Sequence, residues 1–600
     1  MIATLSQMVL NTVQTYPKDD FMLYKSGGVY QPISTAAFGE RVKNFCLGLK
    51  ELGHKKGDKL IILSENRPEW VMSDLANLCG GGVTVPIYTT LVPEAVKYII
   101  ANSDARFVVV SSQDQWAKIK AVKKDLKKVR HFISMEDAPP AGVLSWREVM
   151  DKGAQRSRKK GKGDEFQKLA ALTKPQDEAS IIYTSGTTGI PKGVVLTHDN
   201  FLSNVMTCVP LVNFTCRDTV LSFLPLSHVL ERMVMFCYTY VGATIAFAES
   251  VEAVAQNLLE IKPHIMVSVP RVFEKIYARV MDQVLAGSGL KRKIFFWALK
   301  VGKEYSRRGL LHESIPRSLL FKRNLAHKLV FSKIIAKTGG RIRFFLSGGA
   351  PLSKDIAEFF HAMGLIILEG YGLTETSPVI SLNTIEDMRF GAVGKPIPGV
   401  EAKIAQDGEI MTRGPHVMKG YYKMPAATRE VMIKDGWFKT GDIGHVDKDG
   451  FLVITDRKKD LIITSGGKNI APQPIENILK TIPYISSAVV VGDRKKFVSA
   501  LIVPNFEKLE AWAKKNGIAF ASRAELVRDE RVVSFLWGEV DKSTPGLASY
   551  ERIKQVALLD RDFEIEADEI TPTLKIKRNN IERKYKDLIA SLYKDKDDNG

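Results

Sequence analysis

Tyr183–Leu196 reads YTSGTTGIPKGVVL: apolar Ile181 and Ile182 lead into threonine, serine and glycine, and the run ends at Lys192 before a second apolar stretch. That composition suits a polyanion. Glycines let backbone N–H groups approach phosphate oxygens, hydroxyls donate to them, and a lysine supplies countercharge. The spacing of Gly186, Gly189 and Lys192 does not fit the Walker pattern G-x-x-x-x-G-K-[ST]. Glycine and threonine content alone would equally describe a hairpin with no ligand. Three other strings have residue types that could do chemistry: EGYGLTETSP at Glu369–Pro378, GWFKTGD at Gly436–Asp442 and TPTLKIKR at Thr571–Arg578. Taken singly they are ordinary. Thr374–Glu375 would cap a helix, Gly441–Asp442 would make a turn, and Lys575 would be solvated surface.

Short apolar runs alternating with amphipathic stretches must position these strings, which predicts an α/β chain. Lys59–Leu63, Arg106–Val110, Ile265–Val269 and Ile342–Leu346 read as strands, and Arg156–Gly163 as an exposed loop. The 600 residues exceed one ordinary core. The charged run Arg457–Asp460, followed by lysine-bearing helices, sets a boundary: residues 1–456 form a large domain, 457–459 a hinge and 460–600 a small domain.

Composition narrows the partners. Five cysteines, Cys46, Cys79, Cys208, Cys216 and Cys237, show no metal-knuckle or redox spacing and read as reduced thiols of a cytoplasmic protein. The amino terminus lacks a signal-peptide pattern, and the most membrane-like run, the uncharged Met233–Ala248, is too short for a span and reads as a buried helix entering a strand. Net charge is +19, concentrated at Lys291–Arg343, where fifteen Lys/Arg face only Glu304 and Glu313 among aromatic and leucine residues. With no zinc-finger spacing and no RNA-binding signature, nucleic acid is disfavoured. Two readings of this segment stand side by side: a solvated basic face over ordinary core-facing residues, and peripheral contact with an anionic membrane through 291–343, on its inner face.

The strings together closely resemble the AMP-forming adenylating enzymes, which include acyl-CoA synthetases, peptide-synthetase adenylation domains and firefly luciferase. The same resemblance extends, in order, through GGVTVPIY (Gly81–Tyr88), LPLSHVLER (Leu224–Arg232), SGGAPL (Ser347–Leu352), Gly408–Tyr422 and DRKKDLIITSGGKNIAP (Asp456–Pro472), so it covers nearly the whole chain. It implies a large N-terminal domain of two packed α/β sheets plus a distorted β-barrel, and a small mobile α+β C-terminal domain. The chemistry it implies is activation of a carboxylate as a mixed anhydride with AMP. A thiol cannot displace oxide from a carboxylate, whereas AMP is a good leaving group.

The resemblance assigns roles residue by residue. ATP falls to Thr184, Ser185, Gly186, Thr187, Thr188, Gly189, Lys192, Gly349, Glu369, Gly370, Tyr371, Thr374, Asp442 and Arg457. Within that set Tyr371 lies against adenine, Thr374 bonds the α-phosphate and Asp442 takes the ribose hydroxyls. Glu375 and Thr184 hold Mg2+. Lys575 bridges carboxylate and α-phosphate, with Lys577 as the alternative because Thr573-Leu574 replaces the family's Ser-Gly. Lys459 is the hinge, and Gly466, Gly467 and Lys468 form the loop that meets coenzyme A after the small domain swings. His228 and Arg232 gate the acyl tunnel, although a histidine there could equally be a core residue. PRVFEKIY (Pro270–Tyr277) and the basic helical stretch after it resemble long-chain fatty-acid–CoA ligases. Fatty acid, ATP and CoA are therefore the expected substrates. A fatty-acyl-AMP ligase loading a carrier protein, and a non-enzymatic lipid-binding protein of the same fold, are the alternatives.

Overall fold

The computed structural model describes residues 2–159, 164–184, 191–564, 567–571 and 576–593. Two large sheets dominate. One has nine strands with a parallel centre, in the order Ile367–Gly372, Phe344–Ser347, Ile265–Ser268, Thr219–Ser222, Thr244–Phe247. The other has eight strands and includes Glu178–Thr184, Val83–Ile87, Lys59–Leu63 and Phe107–Val110. Strand Lys59–Leu63 matches the reading of the sequence, and the other three shift by one or two residues at their ends, where ladder bonds run out.

These strands are apolar on both faces because both are covered. In the eight-stranded sheet Leu60, Ile62, Phe107 and Val109 join the core shared with the nine-stranded sheet, and Ile61, Leu63, Val108 and Val110 join a second core outside it. Helices Leu5–Thr15, Pro68–Cys79, His198–Leu211 and Val229–Val241 pack into the shared core. The run Met233–Ala248 is a buried helix entering strand Thr244–Phe247, turned at Gly242, whose φ of 68° suits glycine. Among the described residues no helix is long and apolar enough to cross a membrane.

A four-stranded antiparallel sheet, Glu401–Ile404, Glu409–Arg413, Phe438–Val446 and Leu452–Arg457, corresponds to the expected distorted barrel. Leu452 exchanges backbone hydrogen bonds with Val393 and Gly394, which closes this sheet against the edge of the nine-stranded one. Beyond it, Ile462 through Leu592 build a separate core around strands Ile485–Val491, Ser499–Pro504 and Val556–Leu558. Arg578 ties the chain's last part to that core through Glu476 at 2.6 Å and the Val490 carbonyl at 2.5 Å. The five cysteines are free thiols.

Candidate active site

A cavity of about 2280 Å³ opens at the C-terminal ends of the parallel strands, where ligands collect in open α/β sheets. Both domains line it: Thr184, Lys192 and Glu375 from the large one, Lys577 and Arg578 from the small one.

At one end, strands Glu178–Thr184 and Lys192–Thr197 pair antiparallel and set Thr184 opposite Lys192. Ser185, Gly186, Thr187, Thr188 and Gly189, between them, lie outside the described residues. Tyr421 was missed in the sequence, and it organises this end. Its hydroxyl donates to Glu375 Oε1 at 2.9 Å, and its ring lies 5.0 Å from Lys192 Nζ. The only signal for it was its place in the Gly408–Tyr422 motif, which names no role. Thr374 and Glu375 sit on one short 3-10 turn, so both reach the cavity.

Deeper in, the Tyr371 hydroxyl donates to Asp442 Oδ2 at 2.7 Å, and Arg457 Nε meets Asp442 Oδ1 at 3.0 Å. Asp442 and Arg457 are direct partners across two strands, so the sheet register fixes that ion pair. Each Asp442 oxygen keeps acceptor capacity for a ribose hydroxyl. Gly372 is required by close approach, because a Cβ there would fall 1.6 Å from the Pro378 carbonyl oxygen. Gly349 has φ of 82°, which opens the SGGAPL turn beside Gly370.

Glu369 also lines the cavity, and burial pushes its carboxyl up to about 8 despite a hydrogen bond from the Leu352 backbone N–H. The unfolded chain ionises this group near 4.3. The folded protein therefore binds the extra proton between those values, and stability falls as pH rises from about 4 toward 8. Glu369→Gln keeps the neutral shape, so it should flatten that decline. The melting temperature of the variant should exceed that of the parent by a margin that grows between pH 5 and pH 8, and equal slopes would refute the assignment.

The third arm is apolar. Val229, Met233 and Cys237 recur every fourth residue along helix Val229–Val241 and line the cavity, with Cys208, Val212 and Phe214 opposite. His228 caps this helix and stands at the mouth of the arm. Arg232 is not brought into it. One residue before Met233 the helix points about 100° away, and Arg232, fully buried, forks onto Asp74 at 2.6 and 3.0 Å among Trp70, Phe201 and Phe236. It also donates to Ser180 on the strand leading to Thr184. Its position is that of a core ion pair supporting the site from behind, and removing one partner would strand a buried charge.

On the small-domain side Lys459 lines the cavity, and so does Lys577, which is paired with Asp568. Lys575 lies outside the described residues; its described flanks Thr571 and Ile576 line the cavity. Gly466, Gly467 and Lys468 are exposed on the turn between Ile462–Ile463 and Asn469–Ile470 and do not line it.

Two stacked α/β sheets, a closing antiparallel sheet and a separate small domain sharing one cavity are the architecture of an adenylate-forming enzyme. The chain belongs to the AMP-binding enzyme family, whose model matches residues 10–422, and the AMP-binding enzyme C-terminal domain matches 459–597. It is 36% identical to the long-chain-fatty-acid–CoA ligase FadD15 of Mycobacterium bovis over 96% of this chain and 94% of that protein. It is 33% identical to the long-chain-fatty-acid–CoA ligase ACSBG2 of Xenopus laevis over 99% of this chain and 84% of that one. The fold is shared with the adenylation domain of a Mycobacterium chelonae carboxylate reductase, with a TM-score of 0.76 at 20% identity over 99% and 91% of the two chains.

Proposed function

We propose that this protein activates a long-chain fatty acid with ATP and passes the acyl group to coenzyme A. The observation that carries the reading is the apolar arm from His228 past Met233 and Cys237 to Phe214, opening into the cavity that holds Lys192 and Glu375. An acid seated there buries its chain and presents its carboxylate to the nucleotide end, at about 0.8 kcal/mol per buried CH₂.

In the first step a carboxylate oxygen attacks the α-phosphorus, the bond to the bridging oxygen breaks, and pyrophosphate leaves. Lys192 and the Thr184 strand end hold the departing phosphates, Thr374 bonds the α-phosphate, and Tyr371 and Asp442 fix the nucleoside in line. Glu375 and Thr184 would hold magnesium, which when bound neutralises phosphate charge. One carboxylate and one hydroxyl suit an ion that keeps waters and substrate oxygens as its other ligands. Lys575 supplies positive charge between carboxylate and phosphate. In the second step the CoA thiolate attacks the acyl carbon, AMP leaves, and the loop Gly466–Lys468 reaches the site by movement of the small domain about Lys459. The test is a series of free acids of increasing chain length in a CoA-thioester assay, with a carrier protein as competing acceptor. Thioester formation with CoA that peaks at long chains supports the reading, and acylation of the carrier protein alone overturns it.

The finer reading of location is peripheral contact with an anionic membrane through 291–343. Helices Gly289–Leu310 and Arg317–Ala326 expose Leu290, Phe296, Leu320, Phe321 and Leu325, and Leu311 just past the first is exposed too, with Leu290 and Phe321 each 70% exposed. Arg307 and Arg308 are tied to Glu304, whereas Lys291, Arg292, Lys293 and Lys322 share the apolar surface without an ion-pair partner among the described residues. Each cation near an anionic surface contributes about 1 kcal/mol. Lys291, Arg292 and Lys293 changed together to Glu should reduce salt-sensitive sedimentation with anionic vesicles while activity on detergent-dispersed acid stays near the parent level. Full binding by the triple variant at low salt would rule this face out.

A further inference from the structure

Helix Pro270–Leu285 has two working faces. Phe273 and Tyr277 hold it to the large domain, with Phe273 centroids 5.5 Å from Phe345 and 5.8 Å from Phe360, and Tyr277 4.8 Å from Phe359. The other face carries Arg271, Lys275, Ala278 and Asp282, spaced by four, three and four residues, and it meets the C-terminal domain. Arg271 Nη1 donates to the Ser486 carbonyl at 2.8 Å and Nη2 to Ser486 Oγ at 3.2 Å. Ser486 Oγ in turn donates to Asp562 Oδ1 at 3.1 Å, and Glu274 braces Arg271 at 3.3 Å. Two turns on from Glu274, Asp282 pairs with Lys508 of helix Phe506–Lys515.

We infer that this face is a dock for the C-terminal domain and that Arg271 is a positioning residue for the adenylating step. Arg271 and Ser486 themselves line the cavity, as do Ile576 and Lys577, so the contact that joins the domains also keeps the small domain's last segment on that cavity. The loop Gly466–Lys468 meanwhile stays on the outside. A guanidinium forked onto one residue is directional, which fixes orientation as well as distance. The Lys508–Asp282 pair is partly solvated, with side chains 20% and 43% exposed, and such pairs are weak enough to break in every cycle. Few, polar and solvent-reachable contacts bias two poses without locking either.

The dock rests on the two-step reading above, and the experiment separates the two. Fatty-acid-dependent ATP–pyrophosphate exchange reports the first half-reaction, and thioester formation from pre-made acyl-adenylate and CoA reports the second. Arg271→Ala should lower exchange about fivefold to tenfold and leave the second half-reaction within about twofold. Arg271→Lys, which keeps charge but loses the fork, should fall between. Asp282→Lys should also depress exchange, and adding Lys508→Asp should restore it, a rescue that a role confined to the large domain's own packing would not give. Because Asp282 is partly exposed, this swap remains informative if Arg271→Ala does not fold. Equal loss in both half-reactions, unchanged exchange, or failure of the swap to rescue overturns the dock. Absence of exchange in the unsubstituted protein overturns the function and the dock with it.

Discussion

Lys575→Ala is expected to lower acyl-adenylate formation roughly 100–1000-fold while thioester formation from pre-made acyl-adenylate stays near the parent rate. As the carboxylate approaches the α-phosphate, two anions converge, and a lysine between them stabilises the transition state more than either bound substrate. Thiol attack on the finished adenylate has no such convergence, so the second half-reaction should not need this charge. Lys577 is the natural control. It is paired with Asp568, and its neighbour Arg578 is tied to Glu476 and Val490. Lys577→Ala should therefore cost far less. Rapid-quench measurement of adenylate formation separates the two, and an equal fall in both half-reactions, or a selective fall with Lys577→Ala alone, would contradict the role.

Glu375→Gln should slow the first half-reaction on the order of 100-fold and raise the magnesium concentration needed for half-maximal rate. The change preserves shape and the acceptor oxygen for Tyr421, so folding and the Tyr421 contact should survive. It removes the charge a hard divalent cation requires. The same shift should appear in the magnesium dependence of ATP binding followed by tryptophan fluorescence, which needs no turnover. An unchanged magnesium titration in both measurements would remove Glu375 from the ligand set.

What could be read in the sequence follows from how local each signal is. Strand Lys59–Leu63 declares itself because its apolar run is continuous, and the helix-to-strand passage Met233–Ala248 because Gly242 marks the turn. Strings such as EGYGLTETSP are contiguous, so a resemblance to a family can be carried by them, although singly their residues read as a cap or a turn. Tyr421 was not legible, since its partners Glu375 and Lys192 lie far away along the chain and meet it only through the pairing of Gly420–Tyr421 with Val194 and Val195. Arg232 failed for the converse reason. It shares a string with His228, yet His228 is the extended cap before the helix, whereas Arg232 lies within it, about 100° round from the cavity-lining Met233, and faces the core. In Lys291–Arg343 the sequence could not sort its apolar residues: Phe295 is buried at 4% exposure, whereas its neighbour Phe296 is 44% exposed. The apolar arm was hidden likewise, because Cys208, Phe214, Met233 and Cys237 come together only when two helices pack between the sheets.

The most direct test of the central claim is isotope exchange between pyrophosphate and ATP, with and without a long-chain acid such as palmitate and before any CoA is added. Exchange should require the acid and magnesium, and on addition of CoA it should be lost as the acyl-CoA and AMP form in equal amounts. Exchange independent of fatty acid, or no exchange with any long-chain acid, would contradict that claim.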